Sequence, residues 1–181
     1  ATWSSDTPNA VVGTGSGKYA LSFDGSTNAV DLGTYAQLPR LQFGTGNFTI
    51  AAWIKTSGNG RIVDIYSCDH DIYLSVASGK ANFDVRDINH IIAVGTTTVN
   101  DNTWHFLAGV RNGDEVIVYV DGIKERTMTG AAAASVPGPN NQAHWRIGSS
   151  NACTTTTLAS QFTGLIDDVR IYAASLTLAQ I

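Results

Sequence analysis

Short segments in which apolar and polar residues alternate recur along this chain. Alternation with a period of two residues places one side of a β-strand in a core and the other toward solvent. Glycine, asparagine or proline separates most of the segments, at intervals of about 8 to 15 residues, which is typical of all-β folds. The pattern predicts an all-β, two-sheet antiparallel β-sandwich. The segments that read as strands are residues 48–55, 61–66, 71–76, 80–85, 104–110, 116–120, 144–148 and 165–172.

Two links between these segments predict tight turns. Asn112-Gly113 separates two predicted strands, and a two-residue hairpin turn requires the positive φ that glycine supplies. Val120-Asp121-Gly122 predicts a second tight turn at the end of the next strand. Both links therefore favour antiparallel neighbours.

The composition excludes several classes of function. The 181 residues suit one domain, which we assign to residues 1–181, and the first residue, Ala1, suggests a segment excised from a larger multidomain protein. The formal net charge is -4, whereas a nucleic-acid partner would require a basic surface. We therefore expect no nucleic-acid partner. No apolar run approaches the ~20 residues that span a bilayer, so we expect no membrane insertion.

The chain has two cysteines, Cys68 and Cys153, which lie 85 positions apart. This spacing fits no zinc pattern, because a tetrahedral site needs further Cys or His ligands nearby. A disulfide between them would imply an oxidising, extracellular or periplasmic setting. Two unrelated buried thiols are the alternative.

Two adjacent carboxylates interrupt the last apolar segment, Phe162-Thr-Gly-Leu-Ile-Asp-Asp-Val-Arg-Ile-Tyr172. In a strand, Asp168 lies on the same side as Arg170, whereas Asp167 lies on the same side as three aliphatic residues. A buried, unpaired Asp167 would cost several kcal/mol, so compensation of its charge is expected. A strand-end position that accepts backbone N–H groups is the alternative.

Four stretches in order resemble the laminin-G-like, concanavalin A-like jelly-roll modules of secreted proteins. The resemblance covers roughly residues 18–181 and implies a module that binds carbohydrate or protein partners, is usually appended to glycosidases, sialidases or adhesins, and often holds a structural calcium ion. It implies Asp167 as the side-chain ligand of Ca²⁺, assisted by the turn at Gly25. Asp24, Asn28 and Asp31 are candidate oxygen donors from the adjacent turn, and ordinary turn chemistry is the alternative explanation for them. The stretches are residues 21–25, 47–55, 104–122 and 162–172.

The motifs of the enzymes that share this fold are absent from the sequence. A retaining glycosidase needs two carboxyl groups about 5 Å apart, and the laminarinase-like enzymes carry them on one strand as E-x-D-x-E. The only glutamates here are Glu115, in a hairpin turn, and Glu125, just after Val120-Asp121-Gly122. The strand motifs of the jelly-roll alginate lyases are absent too, so we predict a non-catalytic protein.

A ligand site is predicted on loops that follow neighbouring strands. Sugar sites combine an aromatic platform with side chains that bind hydroxyl groups. Trp53 and Trp104 read as core residues, whereas Trp145 stands among polar residues and is the predicted platform; a core or rim position is the alternative. A Cys68–Cys153 disulfide would join two of these polar loops. The predicted ligand-binding residues are Asp69, His70, Asp71, Arg86, Asp87, His90, Trp145 and Asn151.

The leading prediction is a monomeric carbohydrate-binding module of an extracellular or cell-surface protein, with a glycan or polysaccharide ligand and a structural calcium ion. A protein-binding adhesion domain is the alternative, and a spacer that only positions a neighbouring enzyme is a third possibility. A glycan array compared with a pull-down of surface proteins would separate the first two.

Overall fold

The computed structural model describes residues 1–8, 19–65, 70–87, 90–131, 134, 136, 143–151 and 158–181. Nearly all regular structure in these residues is β-strand, with two single-turn 3₁₀ helices at Tyr35–Gln37 and Pro39–Leu41. The strands are β1 (Thr2–Ser4), β2 (Ala20–Asp24), β3 (Val30–Thr34), β4 (Phe48–Lys55), β5 (Gly60–Ile65), β6 (Ile72–Ala77), β7 (Lys80–Arg86), β8 (His90–Thr98), β9 (Trp104–Asn112), β10 (Glu115–Val120), β11 (Ile123–Thr129), β12 (His144–Ile147), β13 (Ser150–Asn151), β14 (Leu158–Ala159) and β15 (Thr163–Tyr172).

Most strands belong to one of two sheets. Sheet A has the order β1-β2-β15-β4-β9-β10-β11, and sheet B has the order β3-β12-β5-β6-β7-β8. Each pair of neighbouring strands within them is antiparallel. The remaining pair, β13 and β14, forms a short hairpin beside sheet B. The predicted two-sheet antiparallel sandwich is therefore confirmed.

The main core lies between the sheets and is built from the apolar half of each alternating strand. Phe48, Ile50 and Ile54 of β4 face Leu74 and Phe83 of sheet B across this core, and all five side chains are fully buried. A second, smaller cluster on the outer face of sheet A includes Ala108, Val110 and Ile117. The sandwich therefore buries its central strands on both faces of sheet A.

Gly109 allows the two sheets to approach closely at the centre of this core. A Cβ atom on Gly109 would lie 2.1 Å from Cδ2 of Phe83. The Phe83 ring also contacts Phe48 edge to face, with 5.9 Å between ring centroids. Phe83 therefore fills the space that a side chain at position 109 would need.

Both predicted tight turns are present, the first of them one residue further along the chain. Asn112 belongs to β9 and pairs with Glu115, so Gly113 and Asp114 form the first turn, with Gly113 at φ +58°. Asp121 and Gly122 form the second turn and both have positive φ, as a type I′ hairpin requires. The strands that the pattern did not predict include β8 and β11, which lie at the edges of sheets B and A. Their residues are largely exposed, so they lack the clean alternation of the central strands.

Candidate functional site

Polar side chains cover the outer face of sheet B, on the opposite side of its strands from the core. The strand register places Arg146 beside Asp64, Asp64 beside Tyr73, and Tyr73 beside Asp84. These four residues form one row across β12, β5, β6 and β7, with neighbouring strands about 4.8 Å apart. A second row alongside it runs from Arg61 through Ser75 to Asn82.

Arg61 covers the ring of Tyr73. Its guanidinium carbon lies 3.1 Å from the ring centroid, and its Nε lies 3.4 Å from Oδ2 of Asp64. A bulge at Ile62 places Arg61 and Asp64 on the same face, although they are three positions apart. Asp64 therefore helps to hold the guanidinium over the ring, where a cation is attracted to the π-system.

Asp64 and Asp84 are fully buried beside Tyr73. Ser150 Oγ donates to Asp64 Oδ1 at 3.1 Å, but among the described residues Asp64 Oδ2 and both oxygens of Asp84 have no hydrogen bond of standard geometry. Burial raises the pKa of Asp64 to about 7, against the opposing effect of Arg61, and burial also raises the pKa of Asp84. Burial likewise raises the pKa of Tyr73, to about 12. The face therefore holds two carboxyl groups that resist ionisation.

A cavity of 350 Å³ opens on this face beside Arg61 and Tyr73. Its wall also includes Ser75, Asn82 and Gln161. Ligand pockets for small molecules begin at about 300 Å³, so the cavity can hold a sugar unit.

Two amide side chains, Asn82 and Gln161, line the cavity and donate hydrogen bonds through their nitrogen atoms. Asn82 Nδ2 donates to the carbonyl oxygen of Lys80 at 2.8 Å, and Gln161 Nε2 donates to the carbonyl oxygens of Ser26 and Leu158 at 3.2 Å. Within the described part of the chain, neither amide oxygen accepts a hydrogen bond. Asn82 and Gln161 therefore each leave an acceptor for a ligand hydroxyl, and Arg61 supplies donors.

Five of the predicted ligand-binding residues lie together at one end of sheet B. Asp71 and Arg86 exchange backbone hydrogen bonds of 2.8 Å and form an ion pair of 3.3 Å. His70 Nε2 lies 2.7 Å from Asp87 Oδ1, and His90 Nδ1 lies 3.3 Å from Asp84 Oδ2. This group borders the row of Tyr73 and Asp84, but it does not line the cavity.

Trp145 does not serve as the predicted platform. Strand β12 lies between β3 and β5, and the indole is fully buried in the core, 6.1 Å from the Phe43 ring in an edge-to-face contact. The core alternative is therefore correct, although β12 is not an edge strand. Asn151 belongs to β13, but its side chain, like Asp69, Cys68 and Cys153, lies outside the described residues, and so does the predicted disulfide.

The predicted calcium donors near Gly25 are occupied by local hydrogen bonds. Asp24 Oδ1 accepts from the backbone N–H groups of Ser26 and Thr27 at 2.9 Å, and these bonds hold its pKa well below the usual range. Asn28 Oδ1 accepts from the N-terminal ammonium group at 2.8 Å. Gly25 has φ +73° and packs against Thr163, which gives it a role in turn geometry.

Asp167 lies away from this turn. Strand register pairs Asp24 with Thr163, so Asp167 is four residues, or about 13 Å, further along β15. Asp31 instead pairs with His144, at 2.8 Å, on sheet B. The predicted donors therefore do not fit a single calcium shell. The described residues also contain no group of three or more His, Cys, Asp or Glu side chains that could hold a metal ion.

Asp167 nevertheless keeps one available oxygen. It lies at a bulge in β15, and its Oδ1 accepts the N–H of Asp168 at 2.8 Å. Its Oδ2 is buried and has no hydrogen-bond partner among the described residues. Burial raises the pKa of Asp167, although the hydrogen bond from the Asp168 backbone N–H opposes this rise. Calcium binding stays a prediction, with Asp167 as its one remaining side-chain candidate.

Sequence reasoning missed Arg61, Asp64, Tyr73, Asn82 and Asp84. The polar residues of the alternating segments carried the signal. In Asn-Phe-Asp-Val-Arg, for example, residues 82, 84 and 86 are polar and lie on one face of a strand. Reading the polar half of β5, β6 and β7 together would have placed Asp64, Tyr73, Asn82 and Asp84 on the outer face of sheet B. It would not have placed Arg61 there, because the bulge at Ile62 interrupts the alternation.

The core prediction for Trp53 is also wrong. Trp53 lies on the outer face of sheet A, half-buried, where its ring contacts Phe106 with 5.4 Å between centroids. Trp104 is half-buried too, and its Nε1 donates to Asp6 Oδ1 at 3.0 Å.

A model of the concanavalin A-like lectin/glucanases superfamily matches residues 28–181, and the chain belongs to that family. A search of curated protein sequences found no match. Among the described residues, no helix is long and apolar enough to cross a membrane.

Several solved structures share the fold at low sequence identity. The CBM40 domain of the Ruminococcus gnavus IT-sialidase superposes with a TM-score of 0.73 at 14% identity, over 87% of this chain and 91% of that one, and it has also been solved with α2,3-sialyllactose. Domain 4 of a GH43 extracellular arabinanase from Geobacillus stearothermophilus, in complex with arabinotriose, superposes with a TM-score of 0.66 at 19% identity. The match covers 90% of this chain and 74% of that one. Domains LG4-5 of the mouse laminin α1 chain superpose with a TM-score of 0.64 at 20% identity, over 89% of this chain and 43% of that one.

Proposed function

We propose that this chain is a non-catalytic carbohydrate-binding module whose ligand occupies the cavity on the outer face of sheet B. One observation carries the proposal. An arginine-covered tyrosine stands beside two amide oxygens that accept no hydrogen bond from the described residues, in a cavity of 350 Å³. A sugar ring offers the hydroxyl groups that such polar side chains can bind.

Each side chain has a distinct part in binding. The Arg61 guanidinium donates to ring or hydroxyl oxygens, and the amide oxygens of Asn82 and Gln161 accept from hydroxyl groups. Asp64 and Asp84 lie behind this layer and position Arg61 and Tyr73. A catalytic role is not proposed, because the carboxyl groups nearest the cavity are fully buried.

The likeness to a sialidase CBM40 domain and to an arabinanase domain solved with arabinotriose supports a glycan ligand and an extracellular parent protein. The likeness to laminin LG domains supports the alternative, an adhesion domain that binds a protein. The polar cavity favours the first, because a protein partner would need a broad surface rather than a single pocket.

A glycan array tests the proposal, run with and without EDTA so that calcium dependence is measured in the same experiment. Arg61→Ala should lower the signal of the preferred glycan at least about tenfold, which corresponds to a lost interaction of about 1.4 kcal/mol. Arg126→Ala is the matched control, since Arg126 lies on the edge strand β11 and does not line the cavity. A blank array together with capture of a defined surface protein would support the adhesion alternative instead.

A further inference from the structure

A second cavity lies on the opposite side of the molecule, on the outer face of sheet A. Its volume is 410 Å³, and its floor is formed by Trp53 and Phe106, whose rings are tilted by 55° to each other. The segment that follows β15 forms the facing wall with Leu176 and Ile181. An aromatic floor and an aliphatic wall therefore enclose a slot large enough for a small ligand.

Charged groups stand at the rim of this slot. Arg170 forms an ion pair with Asp168. Its Nε donates a hydrogen bond to Asp168 Oδ1 at 2.8 Å, and its Nη2 lies 2.7 Å from Asp168 Oδ2. Asp121, at the β10–β11 turn, accepts the backbone N–H of Phe106 at 2.8 Å and contacts His105. The cavity lining thus includes two carboxylates and one guanidinium, so its formal charge disfavours an anionic ligand and suits a neutral one.

The rim also offers a side-chain donor. Gln180 Oε1 accepts from the backbone N–H and the hydroxyl of Thr177, at 2.9 and 3.0 Å. Within the described residues, the Nε2 group of Gln180 donates no hydrogen bond. It therefore remains for an acceptor on a ligand, beside carboxylate oxygens that accept from hydroxyl groups.

We propose that this slot is a second carbohydrate subsite, which binds a neutral saccharide unit stacked on Trp53. The half-buried indole presents a flat apolar surface, the rim supplies a few polar groups, and the charge balance selects against sialylated sugars. Because the slot and the Tyr73 cavity lie on outer faces of different sheets, the two sites bind independently. The module is thus bivalent, and a multivalent glycan is held by both faces.

Fluorine NMR of the full chain labelled with 5-fluorotryptophan tests this subsite at the level of single residues. The four tryptophan signals are assigned with Trp→Phe variants. Arabinotriose and lactose are the neutral probes, and α2,3-sialyllactose is the anionic comparison. The expected result is a saturable shift of the Trp53 signal with at least one neutral probe, weaker with sialyllactose, while the buried Trp145 signal stays in place.

The same titration in an Arg61→Ala background separates this subsite from the cavity on sheet B. The Trp53 shift should persist there, and Trp53→Ala should weaken binding of the neutral probe roughly tenfold in that background. Trp104→Ala, which removes a tryptophan outside the slot, is the matched control and should leave the affinity unchanged. The proposal is overturned if neither neutral probe shifts the Trp53 signal, or if Arg61→Ala abolishes the shift.

Discussion

The substitution Asp64→Asn tests whether a buried carboxyl group controls the stability of sheet B. Asp64 is fully buried, and its pKa is raised to about 7, chiefly by burial. An unfolded aspartate has a pKa of about 3.9, so the difference of about three units is worth about 4 kcal/mol. Between about pH 4 and 7 the unfolded chain releases this proton while the folded chain retains it, so folding stability falls as the pH rises.

The variant cannot ionise at this position, so it should escape this loss. We expect Asp64→Asn and the unmodified chain to have similar stability near pH 4, and the variant to be more stable by a few kcal/mol near pH 8. Asparagine keeps an acceptor for Ser150 Oγ, so the hydrogen bond of 3.1 Å survives. The pKa of Asp84 is raised as well, so its titration lowers the folding stability of both chains as the pH rises. This contribution is common to both chains and cancels in the comparison.

Urea unfolding followed by fluorescence measures both chains at about pH 4, 6 and 8. Acids whose folded-state pKa is lowered, such as Asp24, also make stability depend on pH. Both chains share these acids, so their contribution cancels in the comparison. Equal stability differences at every pH, or a variant that is less stable near pH 8, would show that folding does not raise the pKa of Asp64.

Three further predictions concern calcium, the core and the sheet edges. Calcium should raise the melting temperature of the unmodified chain more than that of Asp167→Asn, because Asp167 keeps a buried oxygen; equal shifts would remove Asp167 from the ligand set. Gly109→Ala should cost about 1–3 kcal/mol of unfolding free energy, since its Cβ would overlap the Phe83 ring, and unchanged urea stability would contradict this packing. Glu125→Gln should cost about 1 kcal/mol near pH 7, because the Glu125 carboxylate binds the backbone of Thr97 across the β11–β8 edge. That loss should shrink in acid as Glu125 becomes protonated, and a constant difference down to low pH would argue against the charged contact.

The central strands were predictable because burial on one face leaves a strong periodic signal. The segment 48–55 matches β4 residue for residue. The edge strands β8 and β11 were not predictable in this way, since most of their residues are exposed or half-buried and alternate weakly. Their position is fixed instead by tertiary contacts such as Glu125 with Thr97, which no local pattern encodes.

The candidate site was predictable only in part. Asp71, Arg86 and His90 were found because each polar cluster stands at a strand end, and the structure brings them to one end of sheet B. Trp145 was assigned to the wrong face, because flanking polar residues do not show which side of a strand meets the core. Only the pairing of β12 with two neighbouring strands determines that side.

The most direct test of the proposed function is a heteronuclear NMR titration of the full chain with the glycan that gives the strongest array signal. The account predicts that the largest amide shifts fall on β5, β6 and β7, around Arg61, Tyr73 and Asn82. Shifts that avoid the outer face of sheet B, with these three residues unaffected at saturation, would contradict it.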